Sequence, residues 1–287
     1  MSGDNRRSKR RDRRGGGAVR RPVSSYQDPT RRLVYVAAEG AKTEGDYIAL
    51  LNRAYGAEKK FHLHFCRHGD PNGLRPVEVV KRVLAAAQRP DDEKWALFDR
   101  DSGDKTPEDI REAMRLAAEH GVHVALSHPS FELWLLLHFK QHTSRESGRS
   151  TTVLDRLRAH PDAAGFADYA SQSGDRGKGL GDRRERALLG REKTAIDNAR
   201  ALVALCPHPS GGCSARHLTK IEPIPGPRSE TKETYEEWNR RTGHAATCDP
   251  VQRDPSADVW RLLVRSASER TKRSNRTNSF RSANRTD

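Results

Sequence analysis

Between residues 33 and 139, short apolar runs alternate with stretches whose apolar positions recur at helical spacing. Leu33–Ala38 reads as a buried strand, and Phe61, Leu63 and Phe65 alternate as a second. Trp95–Phe98 and Val122–Leu126 make a third and a fourth. Tyr47, Ile48, Leu51 and Ala54 mark a helix after the first strand, with Thr43 as its cap, Asp46 completing an acidic capping box, and Gly56 as its stop. Pro76 opens a second helix through Val77, Val80, Val83 and Leu84, closed by Pro90. Thr106-Pro107-Glu108 opens a third, which runs to Glu119 and stops at Gly121. Ser127-His128-Pro129 leads into a fourth, Phe131–Phe139. Strand–helix alternation of this kind predicts an α/β fold, a parallel sheet flanked by helices.

Beyond about residue 140 the pattern weakens. Helices are expected over Thr152–His160, over Arg183–Leu205 as one piece, and near Asp258–Arg265. The stretch 207–229 is rich in proline and glycine and reads as loop. The plan is then a basic arm (1–31), an α/β core (32–142), a mostly helical extension (143–265) and a basic tail (266–287).

Charge sharpens that plan. The chain carries 53 Lys+Arg against 39 Asp+Glu, a formal +14. Residues 1–32 hold 11 basic and 3 acidic groups, residues 261–287 hold 8 and 2, and the middle has 34 of each. The excess therefore sits at the two ends, whose polar, glycine- and serine-rich composition cannot bury a core and reads as disordered. Two readings of these arms stand side by side: electrostatic contact with nucleic-acid phosphates, or solubilising tails. No apolar run is long enough to span a bilayer, and the N-terminus lacks the apolar stretch of a secretory signal. Cys66, Cys206, Cys213 and Cys248 do not make a disulfide framework in a chain of this size, so a reducing cytoplasm is the expected compartment.

The candidate chemistry lies at the ends of two strands. Glu39 and Glu44 follow the first strand, and Asp99 and Asp101 follow the third. Ligands of open α/β sheets bind at that carboxyl edge, and clustered carboxylates repel each other unless a cation neutralises them. Oxygen donors of this type suit Mg²⁺ or Mn²⁺ better than zinc. Asp99 and Asp101, two apart in extended chain, project to one side and can reach one ion; the bland alternative is a solvated turn. Glu44 and Glu132 each fall in a helix first turn, where the dipole alone favours a carboxylate, so each keeps both a structural and a site reading. Asp104 reads as surface. Lys42 and Arg100 read as surface ion-pair partners that can also offer charge to a phosphate. His128 and His138 flank an apolar helix and read as core or surface histidines. Cys206, His208, Cys213 and His217 form a zinc-like assortment, but their spacing matches no common zinc pattern. Gly177-Lys178-Gly179 lacks the length and hydroxyl of a phosphate-binding loop, so no ATP hydrolysis by this chain is expected.

Three motifs in order, Glu39-Gly-x-x-Thr-Glu44-x-x-Tyr47, Phe98-Asp99-Arg-Asp101, and Ser127-His128-Pro129-Ser130-Phe131-Glu132 through Phe139, resemble the RloB-like family. Asp254-Pro255-Ser256-Ala257-Asp258-Val259 with Leu262 looks like that family's C-terminal motif. The chain departs from the family at His128, where asparagine is usual, and over 171–190, where a tyrosine- and lysine-containing stretch is usual. The family is similar to Toprim-fold nucleases and to the abortive-infection protein AbiLii. The resemblance implies a Toprim-like core with Glu39, Asp99 and Asp101 as ligands of Mg²⁺ (or Mn²⁺), and Ser130-x-Glu132 bordering the site. It further implies a metal-dependent nuclease in phage defence or restriction, acting on DNA or RNA, with an ATPase partner protein. A non-catalytic nucleic-acid-binding subunit is the alternative.

Overall fold

The computed structural model describes residues 32–70, 72–89, 92–101, 105–171, 177–207, 212–215, 218 and 233–267. The basic segments 1–31 and 268–287, Asp104, His208 and His217 lie outside them, as does most of the stretch read as loop.

In chain order the elements are β1 (Arg32–Ala38), α1 (Thr43–Leu51), β2 (Phe61–Phe65), α2 (Pro76–Ala86), β3 (Glu93–Asp99), α3 (Pro107–Glu119), β4 (His123–His128) and α4 (Phe131–Leu137). These realise the predicted alternation. There follow α5 (Thr151–Ala159), α6 (Asp182–Leu188), α7 (Glu192–Val203), α8 (Tyr235–Arg241), β5 (Ser256–Ala257) and α9 (Val259–Ala267). The sheet order is β2-β1-β3-β4-β5; the first four strands are parallel and β5 pairs antiparallel with β4.

β1, β3 and β4 are buried almost throughout because helices cover both faces. Val34, Val36, Ala38, Trp95 and Leu97 point to one face, where α1, α4, α5, α7 and α9 supply Ile48, Leu133, Leu157, Ala199 and Trp260. Tyr35, Ala37, Ala96 and Phe98 point to the other, against Val80 of α2, Ile110 and Met114 of α3, and Trp238 of α8. The C-terminal part is built into this core. Buried Arg261 donates to the Val124 carbonyl of β4 at 2.8 Å and lies over the Trp95 and Trp238 rings. Among the described residues, no helix is long and apolar enough to cross a membrane.

Two local expectations are corrected. Thr43 does not cap α1. It is the first helical residue, and Lys42, the cap, makes no side-chain cap bond. The Thr43 hydroxyl instead meets Tyr169 Oη at 2.8 Å and donates to the Lys178 carbonyl at 3.0 Å, while Asp46 accepts from the Leu180 amide at 2.9 Å. The single helix over 183–205 is two helices, α6 and α7, because the chain turns at Gly190 with φ +81°, a left-handed conformation that favours glycine. α8, within the mostly helical extension and beyond the loop-rich stretch, starts at a Thr234–Glu237 capping box.

Candidate active site

β2 lies on one side of β1 and β3 on the other, which makes the gap between the carboxyl ends of β1 and β3 the switch point of the sheet. Glu39 leaves β1 there and Asp99 is the last residue of β3. The two are tied directly, since the Asp99 amide donates to Glu39 Oε2 at 3.2 Å. The Arg100 amide continues the pairing with β4 by donating to the Ser127 carbonyl at 2.8 Å. Asp101 therefore emerges beside the same crevice, two residues beyond Asp99.

Lys105 closes the group. Its ammonium lies 2.5 Å from Glu39 Oε1 and 3.3 Å from Asp101 Oδ1, and donates to the Asp99 carbonyl at 3.3 Å. The lysine side chain is only 2% exposed. It is held there by the start of α3, where Thr106 and Asp109 form a reciprocal capping box. Sequence reasoning passed over Lys105. Its one signal is adjacency to that helix start, which orients the residue before the cap.

The fold adds further carboxylates. Glu44, buried in the first turn of α1, accepts from the Gly40 amide at 3.2 Å. A Cβ at position 40 would lie 2.5 Å from Glu44 Oε2, so a larger residue there would displace the Glu44 carboxylate from the Gly40 amide. Glu132, in the first turn of α4, accepts from Tyr169 Oη at 3.0 Å, and the same phenol meets Thr43. Tyr169 is a second residue that sequence reasoning missed. It lies just before the segment where the chain departs from the family pattern. Ser130 is buried, and its Oγ has no hydrogen-bond partner among the described residues.

This concentration of charge moves the ionisation of its members. Burial raises Asp99 well above the usual carboxylate range, and the Glu39 charge adds to it. Burial also raises Glu39, against the lowering influence of Lys105. Burial pushes Glu44 up to about 7, helped by Glu132 and Glu39. Burial alone would pull Lys105 down, but the Asp99 and Glu39 charges hold it above the usual lysine value. Asp101 Oδ1 is buried, and its ion pair with Lys105 at 3.3 Å lacks hydrogen-bond geometry.

The structure thus brings Glu39, Glu44, Asp99, Asp101 and Glu132 into one electrostatic neighbourhood, with Lys105 among Glu39, Asp99 and Asp101. Lys42 stays exposed and pairs with Asp46 at 3.4 Å. Arg100 Nη1 donates to the Asp101 carbonyl at 2.9 Å. His138 is wholly buried, bonded to Tyr47 Oη and the Trp134 carbonyl, and burial pulls it down to about 4. His128 is buried 3.7 Å from Asp254. Both are packing residues.

The carboxylates are not drawn into a closed ligand set. Among the described residues, the group of His, Cys, Asp or Glu whose ligand atoms all lie within 4.8 Å of one another is elsewhere: Cys206, Cys213, His244 and Cys248. Two cysteines of the zinc-like assortment belong to it, and its histidine is His244.

The family model of RloB-like proteins matches residues 34–220, well over half of the chain. The chain belongs to the RloB-like family. The match runs from β1 to beyond α7 and takes in every member of the carboxylate group, Lys105 and Tyr169. The Asp254–Leu262 motif, which forms β5 and the start of α9, lies outside it. Comparison with curated proteins and with solved structures finds no match. What this RloB-like chain acts on is therefore argued from the site.

Proposed function

We propose that the chain is a metal-dependent phosphodiesterase of the Toprim type that cleaves nucleic acid, in phage defence or restriction. The observation that carries this reading is the imbalance at the switch point. Glu39, Asp99 and Asp101 share one enclosed ammonium, Lys105, and the Glu44 and Glu132 charges add to the field at Asp99. Burial and the Glu39 charge disfavour an ionised Asp99, and buried Asp101 Oδ1 meets Lys105 at 3.3 Å without hydrogen-bond geometry. A divalent cation would satisfy both, and an all-oxygen donor set fits Mg²⁺ or Mn²⁺.

Glu39, Asp99 and Asp101 would hold the ion. When bound, Mg²⁺ or Mn²⁺ lowers the pKa of a coordinated water and offsets charge on a scissile phosphate. The remaining steps belong to side chains. Glu44, with its carboxyl near neutrality in pKa, can take up and return a proton at physiological pH. Lys105 presents fixed positive charge where a phosphate gains negative charge, in a site already shielded from water. Tyr169 locks Glu132 and the start of α1 in register. The basic segments 1–31 and 268–287 would add sequence-independent phosphate contacts. An ATPase partner protein belongs to this proposal through the family resemblance.

The test is cleavage of DNA and of RNA with Mg²⁺, with Mn²⁺ and with EDTA, for wild type and Asp99→Asn. Cleavage that needs the metal and is lost in the variant supports the reading. Cleavage that survives both EDTA and Asp99→Asn overturns it. One observation favours a second reading, a non-catalytic nucleic-acid-binding subunit: Lys105 already neutralises part of the carboxylate charge from within. That reading predicts nucleic-acid binding with no cleavage and no Mg²⁺-induced change in melting temperature.

A further inference from the structure

Cys206 follows the end of α7, Cys213 lies in the described segment 212–215, and His244 and Cys248 follow α8. Some 30 residues of sequence separate the two halves, yet four ligand atoms lie within 4.8 Å of one another. Cys206 Sγ and Cys248 Sγ are 3.5 Å apart, and His244 Nδ1 is 3.7 Å from the first and 3.6 Å from the second. A disulfide would need the two sulfurs at about 2.05 Å, so these are separate thiols. A tetrahedral zinc with Zn–S of about 2.3 Å and Zn–N of about 2.0–2.1 Å has ligand–ligand edges of about 3.8 Å between sulfurs and about 3.6 Å from sulfur to nitrogen. The three separations among Cys206, Cys248 and His244 match edges of that tetrahedron, and Cys213 Sγ lies within 4.8 Å of each of them.

We propose that Cys206, Cys213, His244 and Cys248 form a structural zinc site, separate from the carboxylate site. Three thiolates and one imidazole are a soft donor set that selects zinc over Mg²⁺. All four places of the tetrahedron are filled by protein, the mark of a structural rather than a catalytic centre.

The surroundings are built for it. The Ala245 amide donates to Cys213 Sγ at 3.3 Å, the type of bond that supports a thiolate. The Ser214 amide donates to the Gly243 carbonyl at 2.8 Å, joining the two ligand-bearing segments beside the centre. The Cys248 carbonyl accepts from Asn239 Nδ2 at 3.1 Å and from Arg253 at 3.4 Å. The buried Arg253 guanidinium lies close enough to offset the net negative charge of zinc with three thiolates. His244 is 3% exposed, and its Nε2 has no partner among the described residues, so its Nδ1 side sets the ring's place.

The site would fasten the end of α7 to the end of α8. Those helices cover opposite faces of the sheet, so the ion would act as a clasp around the sheet's edge. Metal binding to a site that exists only in the native state adds directly to folding stability.

The test is metal content of the purified full-length chain after passage over a chelating resin, with cobalt substitution as a second readout. About one zinc per chain is expected, and cobalt should give thiolate-to-metal charge-transfer absorption with the intense visible bands of tetrahedral Co²⁺. Cys248→Ser and Cys213→Ser should lose the ion. His244→Cys, which keeps four ligands, should retain it, and that retention separates ligand loss from misfolding. Cys66→Ser, whose sulfur lies in the sheet core near β2, and Asp99→Asn should both keep zinc at the wild-type level. Retention of zinc by Cys248→Ser equal to wild type would overturn the proposal. So would a chain with neither zinc nor a cobalt–thiolate signal, or a native Cys206–Cys248 disulfide under non-reducing conditions.

Discussion

Lys105 and His138 show what burial does to single charged groups here. Lys105 is the enclosed cation paired with Glu39 and Asp101, so removing it leaves both carboxylates without that partner. Breaking a buried pair from one side costs about 3 kcal/mol. Lys105→Met should lose about that much in urea unfolding, and added Mg²⁺ should restore more stability to the variant than it adds to wild type. Equal Mg²⁺ responses would mean that the cation binds away from Lys105. His138 is held neutral, with burial pulling its pKa down to about 4 from the usual 6.5. Below pH 6.5 the unfolded chain takes up a proton that the native chain refuses. The stability His138 allows is thus present above about 6.5 and is lost as the pH falls toward 4. That span is worth about 3 kcal/mol. His138→Gln should flatten the acid limb, so that its stability relative to wild type rises by about that amount between pH 7 and pH 4. The raised carboxyls of Asp99 and Glu44 act in the opposite direction in both proteins and cancel from the difference.

At the scale of elements, helix starts position the site. The Thr106–Asp109 capping box fixes where α3 begins and, with it, the backbone from which Lys105 reaches Glu39. Thr106→Ala should cost about 1 kcal/mol. If the box also places Lys105, metal-dependent activity should fall more than stability alone accounts for; unchanged activity in a folded variant would leave the cap with a structural role. α1 uses the same residue types differently. Thr43 and Asp46 look like a cap from their spacing but bond the segment 178–180 and Tyr169, which carries Glu132. An N-cap pattern reports which side chains can satisfy helix amides, not whether a better partner arrives from a distant part of the chain.

At the scale of the molecule, charge is segregated from architecture. Residues 1–31 carry +7 and residues 268–287 carry +4 of the formal +14. α9 ends at Ala267, so deleting residues 1–31 and 268–287 removes most of the excess charge without touching the sheet, its helices or the carboxylate site. Nucleic-acid affinity should drop, and the slope of log affinity against log salt should become shallower as fewer counterions are released. An unchanged slope would assign the phosphate contacts to the folded part. The C-terminal portion of that folded part is not an appendage. β5 completes the sheet edge beside β4, and Arg261 and Trp260 enter the core.

The sequence alone determined the strand–helix alternation, most element starts, the placement of Glu39, Asp99 and Asp101 at strand ends, and the family. Those features follow from local periodicity, from capping chemistry and from motifs contained in a few residues each. Only the tertiary structure decided which strands are neighbours, and hence that Glu39 and Asp99 share the switch point. It alone brought Lys105 and Tyr169 to them, broke the helix at Gly190, and joined His244 and Cys248 to Cys206 and Cys213. Each of these depends on contacts between residues tens of positions apart, and local pattern carries no information about such contacts until the chain has folded.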